Sequence, residues 1–418
     1  MFERGMRGGV ASINKRHVTA NNPYIGETYC SDKPTSYVMY YDANSLYSTA
    51  LCKKLPVGGF RYLSQREIDE FDPRKISAES DTGYLFEVDL DYPSDLHDAH
   101  NDYPLAPEHV EPAYRKLSKL QKKLIRDFGL SEKSTKKLIP NLSNKQNYVL
   151  QGEILVLYLD PLFHSFDIFN NDLVCVERKK SRVVLNRPVY VGQACLDISK
   201  QIMYEFYYKV LKQKYGSNIS VCGTDTDSLI VEIFTEDIYE DMYEMREHFD
   251  TSDYPKTHPL FSLSNKKVMG KFKDEMNSVP IVAFVGLRAK MYSFKTMSNG
   301  EKSVGKGIPR GALKTQLCFE DYLNCITKFE RKNVNFSKIS TDRKHNVMTT
   351  YSVKKGLSCF DDKRFILDDN VTTLAHGHCN IKNMIEDSDT EKDCDGDCEM
   401  LDEGEENLRG LIELMDLV

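Results

Sequence analysis

The chain has 418 residues, 40% of them hydrophobic, enough for a sizeable core and more than one domain or subdomain. Its net charge of −7 hides a split: residues 386–418 carry 14 acidic against 2 basic side chains, which leaves the upstream part mildly basic at +5. That part can meet a polyanion, and the lack of any run of about 18 apolar residues excludes a membrane-spanning helix.

Met1–Gly5 has no apolar core, so no signal peptide is expected. The 11 cysteines are scattered without paired metal-ligand spacing and read as reduced thiols of an intracellular protein. Arg7-Gly8-Gly9-Val10 comes next. Consecutive glycines allow close backbone approach and leave N–H groups free for phosphate, but a lone Gly-Gly more often marks a flexible terminus. Tyr37–Tyr41 is a predicted strand with Asp42 at its end. Ser45-Leu46-Tyr47 then opens a helix to about Lys54. Leu55–Phe60 is a turn, and Tyr84–Leu90 alternates as a strand. Residues 113–128 form a basic amphipathic helix (Arg115, Lys116, Lys119, Lys122, Lys123, Arg126), by default a solvated face.

A helix from about Gln193 to Tyr215 places Ala194, Ile198, Ile202, Tyr204 and Phe206 as a core stripe. Ile219–Ile233 reads as a hairpin with Asp225 and Asp227 at its tip. Two Asp one residue apart put hard oxygen ligands within reach of a small divalent cation. Mg²⁺ is held by one or two carboxylates plus substrate phosphates, which suits phosphoryl transfer. A solvated acidic turn or a metal-dependent sugar transferase also fits that pair. Asp42, a second acidic position at a strand end, favours phosphoryl transfer.

Residues 236–249 read as an acidic surface helix. On a strand, Lys290 and Tyr292 share one face; a cation beside a ring suits a DNA backbone, and an ordinary exposed strand carries the same pattern. Helix 319–330 and strand 346–353 follow. His376-Gly377-His378-Cys379 has zinc-ligand residue types, but Cys394 and Cys398 fall in the acidic tail, and no zinc site is expected. The tail is low in aromatics, the composition of a disordered or interacting segment, with Leu411–Met415 as a short terminal helix.

Asp42-Ala43-Asn44-Ser45-Leu46-Tyr47 resembles the first palm motif of family B DNA polymerases, Asp-x-x-Ser-Leu-Tyr. Asp225-Thr226-Asp227-Ser228 matches their Asp-Thr-Asp-Ser motif, in the right order. The finer resemblance is to the protein-primed viral and organellar branch, especially polymerases of self-synthesising (Polinton-type) transposons. It runs from about Met6 to Cys379. It implies an α+β fold: a palm sheet backed by helices, with a thumb-like C-terminal region. It implies two Mg²⁺ ions, or Mn²⁺ in their place, on Asp42 and Asp227, with Asp225 as a supporting carboxylate. Nucleotide would meet Ser45, Leu46 and Tyr47, the last a ring that leaves no room for a 2′-OH. DNA would meet Arg7, Gly8 and Gly9, which resemble a Tyr-x-Gly-Gly linker, and Lys290 and Tyr292, which resemble a Lys-x-Tyr motif. The implied partners are primer-template DNA, deoxynucleoside triphosphates and a terminal priming protein, without a membrane, in the nucleus or at a viral replication site.

Met6 stands where the linker's Tyr belongs, and the chain departs from the family at two larger points. It begins at the linker, so no exonuclease half is expected. It passes from Asp160-Pro161-Leu162 almost directly to Phe166-Asp167-Ile168-Phe169, where the fingers Lys and an Asn-Ser-x-Tyr-Gly motif belong. Lys137–Asn141 has the Lys-to-Asn interval, but Pro140 breaks a helix there. The expected organisation is a linker (1–34), a palm (35–304) with a pre-fingers insertion (about 95–160), a thumb-like region (305–385) and the acidic tail (386–418). The expected function is template-directed deoxynucleotide transfer to a 3′-OH with truncated fingers. The alternatives are a catalytically inactive remnant that binds nucleic acid or a partner, and a gene model lacking a fingers exon.

Overall fold

The computed structural model describes residues 1–76, 80–151, 188–298, 300–341, 347–389 and 413–417. The expected fingers interval around 160–166, the stretch 155–159 that follows the family and the hairpin expected at 173–177 and 183–185 lie outside them. The fold is α+β. Its centre is a six-stranded sheet, and two strands carry it. β3 (Ser36–Ala43) is buried along nearly its whole length, and β5 (Ser228–Phe234) pairs with it antiparallel, from Ser228 opposite Asp42 to Phe234 opposite Ser36.

β1 (Ala11–Ile13) pairs with β4 (Ile219–Asp225), which forms the hairpin with β5. β7 (Phe272–Asp274) pairs with the other edge of β3, and β6 (Phe249–Asp250) runs parallel to β7. The order is β1-β4-β5-β3-β7-β6.

Alternation gives this sheet two apolar faces, because successive side chains point to opposite sides. Tyr37, Met39 and Tyr41 join Leu229, Val231 and Ile233 in one core with Met203, Tyr204, Phe206 and Tyr207. Those four belong to α2 (Val189–Glu205) and the π turn Phe206–Leu211 that continues it. Phe206 stacks on Phe272 with ring centres 3.5 Å apart and planes 7° from parallel. Each aromatic buried this way contributes on the order of 1.5–3 kcal/mol. The expected stripe on α2 is therefore core: Ala194, Ile198, Tyr204 and Phe206 are all buried.

Val38, Tyr40 and Ile230 face the other way. They pack on Phe284, Tyr292 and Phe294 of a second, four-stranded sheet. Its order is β10 (Glu301–Gly305), β9 (Met291–Thr296), β8 (Ile281–Arg288), β2 (His17–Thr19). The layers are thus helix, central sheet, second sheet. A third sheet joins Gly83–Leu90 to Lys145–Gln151.

Several expected elements change. The helix after Asp42 is short: α1 spans Leu46–Leu51. The basic helix is broken at Ser118, whose side chain accepts from the Gln121 N–H in a capping box, so the α-helix is Lys119–Phe128 and Arg115 and Lys116 sit on a preceding turn. The acidic helix is Ile238–Glu244, started by the Asp237 cap. Lys290 is not on a strand. It lies in the turn between β8 and β9 with φ +61°, so it does not share a strand face with Tyr292. The expected terminal helix is instead a strand, Glu413–Leu417, paired with Gly83–Leu90 and Arg61–Tyr62. So short a helix is marginal in water, whereas an open strand edge offers a ladder of partners.

The C-terminal region returns to the N-terminal one. The guanidinium of Arg16, 1% exposed, donates to the Asn370 side chain, to the Cys359 carbonyl and to the Leu287 carbonyl at 3.1 Å. Arg364 donates to Thr373 Oγ1 at 2.6 Å and to Asn101 Oδ1 at 3.1 Å. Among the described residues, no helix is long and apolar enough to cross a membrane.

Candidate active site

The site forms where β3 ends against the tip of the β4–β5 hairpin. Register brings the carboxylates together: Asp42 lies opposite Ser228 on one side and Lys273 on the other. Three main-chain bonds fix the tip. The Ala43 N–H donates to the Asp227 carbonyl at 2.8 Å, the Thr226 N–H to the Val10 carbonyl at 2.8 Å, and the Asp227 N–H to the Asp225 carbonyl at 2.7 Å. Thr226 takes φ +63° to make the two-residue turn. Gly9 is required beside it, since a Cβ there would stand 2.2 Å from Thr226 Cγ2.

The electrostatics of the tip are uphill. Burial, then the charge of Asp227, then Glu275 push the Asp42 carboxyl up to about 7. Asp227 is also raised, first by burial, with Asp225 and Glu275 adding to it and Lys290 opposing. Lys290 Nζ stands 2.8 Å from Asp225 Oδ1, an ion pair without hydrogen-bond alignment. Glu275 is handled differently. Burial acts against its charge, but Lys273 at 2.5 Å and Lys302 at 3.2 Å together outweigh it and hold the carboxyl below its ordinary value.

Glu275, Lys273 and Lys302 carry no signal in the sequence reading. Lys273 and Glu275 stand two apart at a strand end, a pattern shared with any solvated strand edge. Only the pairing of β7 with β3 brings them to Asp42.

Asp42, Asp225, Asp227, Tyr47 and Lys290 come together. Tyr47 is 42% exposed on α1, and Asp227 is among the groups that raise its hydroxyl, after burial. Leu46 is buried, and Ser45 takes a left-handed conformation at φ +52° without a side-chain cap. Gly8 is exposed and Gly9 packs on the tip. Arg7 turns inward: it donates to the Val149 carbonyl at 2.7 Å and lies over the Tyr148 ring at 3.7 Å. Tyr292 is buried, with its hydroxyl 3.1 Å from that of Tyr40. The side chains of Arg7 and Tyr292 are thus occupied within the protein, and Lys290 is the exposed cation of the expected DNA-binding set.

No family model and no curated protein matches the chain. Solved structures similar to it include two complexes of one polymerase. Phi29 DNA polymerase complexed with primer-template DNA, a post-translocation binary complex, gives a TM-score of 0.36 at 11% identity, over 85% of this chain and 61% of that one. Phi29 DNA polymerase complexed with primer-template DNA and incoming nucleotide substrates, a ternary complex, gives 0.39 at 11% identity, over 86% and 62%. The chain spans less than two thirds of the length of these polymerases. The similarity is a distant one of fold.

Proposed function

We propose that the chain is a DNA polymerase of the family B type that transfers deoxynucleotides to a 3′-OH at the Asp42–Asp227 site. One observation carries the reading. Two carboxylates, Asp42 at the end of β3 and Asp227 in the turn between β4 and β5, are held together, partly buried, at a cost to their charged forms. A site whose donors are all carboxylate oxygens, with too little positive charge beside Asp42 and Asp227 to offset burial, fits a hard divalent cation. Asp42 and Asp227 would hold Mg²⁺ or Mn²⁺, which lowers the pKa of an attacking hydroxyl and neutralises a leaving pyrophosphate when bound.

The protein's own groups supply positioning. The main-chain bonds at Ala43 and Thr226 fix the spacing of the two acids. Lys290 pairs with Asp225, which would serve as a supporting carboxylate. Lys273 and Lys302 hold Glu275 as a carboxylate, and its charge raises Asp42. The exposed Tyr47 ring beside Asp227 offers an apolar face to a sugar. From the motif resemblance we extend the proposal to primer-template DNA and deoxynucleoside triphosphates, and to a terminal priming protein as in the protein-primed branch.

The test is extension of a primed template with Mg²⁺ or Mn²⁺, comparing the chain with the Asp42→Asn/Asp227→Asn double variant. Extension by the chain that the variant loses supports the proposal. Absence of extension from folded, DNA-binding protein replaces it with the non-catalytic remnant.

A further inference from the structure

Away from the acidic tip, the chain folds a second set of ligand-type side chains together. His97, His378 and Cys379 each offer one donor atom, and these atoms lie within 4.8 Å of one another. His97 and His378 are buried and Cys379 is half-buried. We propose that these three residues form a zinc-type metal site that fastens the start of α3 (Cys379–Asp389) to the segment around residue 97.

The hydrogen bonds argue for it beyond proximity. His97 Nε2 faces the Tyr92 carbonyl at 3.1 Å. A carbonyl only accepts, so Nε2 carries the proton and Nδ1 keeps its lone pair. His378 Nε2 faces Asp98 Oδ1 at 3.1 Å, and the same reasoning leaves its Nδ1 as the donor atom. Both imidazoles therefore hold the tautomer that a metal needs. One is oriented by a carbonyl and the other by a carboxylate, the usual outer partners of ligating histidines.

Both Nδ1 atoms are directed at the same short stretch: that of His97 accepts the Cys379 N–H at 2.9 Å, and that of His378 accepts the Asn380 N–H at 3.2 Å. Cys379 Sγ lies 3.8 Å from His378 Nδ1. Zinc–nitrogen and zinc–sulfur bonds of about 2.0–2.3 Å place tetrahedral neighbours roughly 3.3–3.7 Å apart, so little movement is needed. A metal displaces the two amide bonds. Those N–H groups belong to the first turn of a helix, where no intrahelical acceptor exists and water is the ordinary replacement.

Two imidazoles and a thiolate select Zn²⁺ or Co²⁺ over Mg²⁺ and Mn²⁺, so this site and the carboxylate tip take different ions. With three protein ligands, the fourth position falls to water. The residues joined are 282 positions apart, so the ion would close one of the longest loops in the chain.

The test uses the full chain, freed of metal by a chelator and carrying no polyhistidine tag, titrated with Co²⁺. The expected result is a thiolate-to-cobalt charge-transfer band that saturates at one equivalent and is lost in Cys379→Ser. Zn²⁺ competition should show at least tenfold weaker binding in Cys379→Ser and in Asp98→Ala, with both variants folded by circular dichroism. A chain without the band overturns the proposal, as does a band that Cys379→Ser retains with unchanged Zn²⁺ affinity.

Discussion

The hairpin tip and the seam where residues 359–378 return to the N-terminal half handle buried charge in opposite ways. At the tip, Asp42 and Asp227 are held near each other without enough positive charge to make either comfortable. At the seam, Arg16 and Arg364 are fully buried, yet each guanidinium is met by several oxygens. A site kept ready for a ligand spends stability, whereas a structural joint accumulates it. Substitutions in the two places should therefore have opposite signs.

The largest expected effect is on activity. Asp227→Asn should lower primer extension by on the order of a thousandfold or more, measured by single-turnover kinetics, while leaving the fold intact. Asp42→Asn should do the same and also stabilise the protein. The sign follows from its raised pKa: the folded state holds a proton that the unfolded state has released between about 4 and about 7, so folding is penalised increasingly as pH rises through that window. Thermal melts should show Asp42→Asn above the parent at pH 8 and level with it near pH 4. Added Mg²⁺ should narrow the gap at pH 8. A variant no more stable than the parent at pH 8 would remove the contrast with the seam.

At the seam, Arg16→Met should cost about 3–5 kcal/mol in denaturant melts, because several buried oxygens lose their donor at once. Gly9→Ala should cost about 1–3 kcal/mol through contact with Thr226, and Thr226→Gly should recover much of it by removing the clashing atoms and easing the positive φ. If the double variant is no better than Gly9→Ala alone, the clash is not the cause. The smallest effect belongs to Lys290→Ala. Its pair with Asp225 is 45% exposed on the lysine side and should contribute no more than about 1 kcal/mol, fading with salt.

The legible part of this molecule is the part built by short-range pairing. The run Ser36–Ala43 and the hairpin Ile219–Phe234 announce themselves by β-branched and aromatic residues around an acidic turn, and register then brings Asp42 to Asp227. Glu275 and Lys302 were not legible, because their meeting with Asp42 depends on which strand lies beside β3 and on the layer above it. Lys290 leaves the expected strand for a local reason: a two-residue turn interrupts what reads as one continuous strand. His97 carries no signal in the sequence, which leads to no expected zinc site at His378 and Cys379. Zinc patterns in sequence rely on close spacing, and these residues converge only after the chain has wrapped around.

Arg16 has a consequence for the order of events at the ribosome. Its hydrogen-bond acceptors lie at Leu287, Cys359 and Asn370, all made long after it. Until then a guanidinium between the first two strands has nowhere to be sealed, and the layer beneath it stays open to water. Folding during synthesis should therefore wait until residues 359–370 have been made, and nascent chains stalled before residue 359 should remain protease-sensitive around β1 and β2.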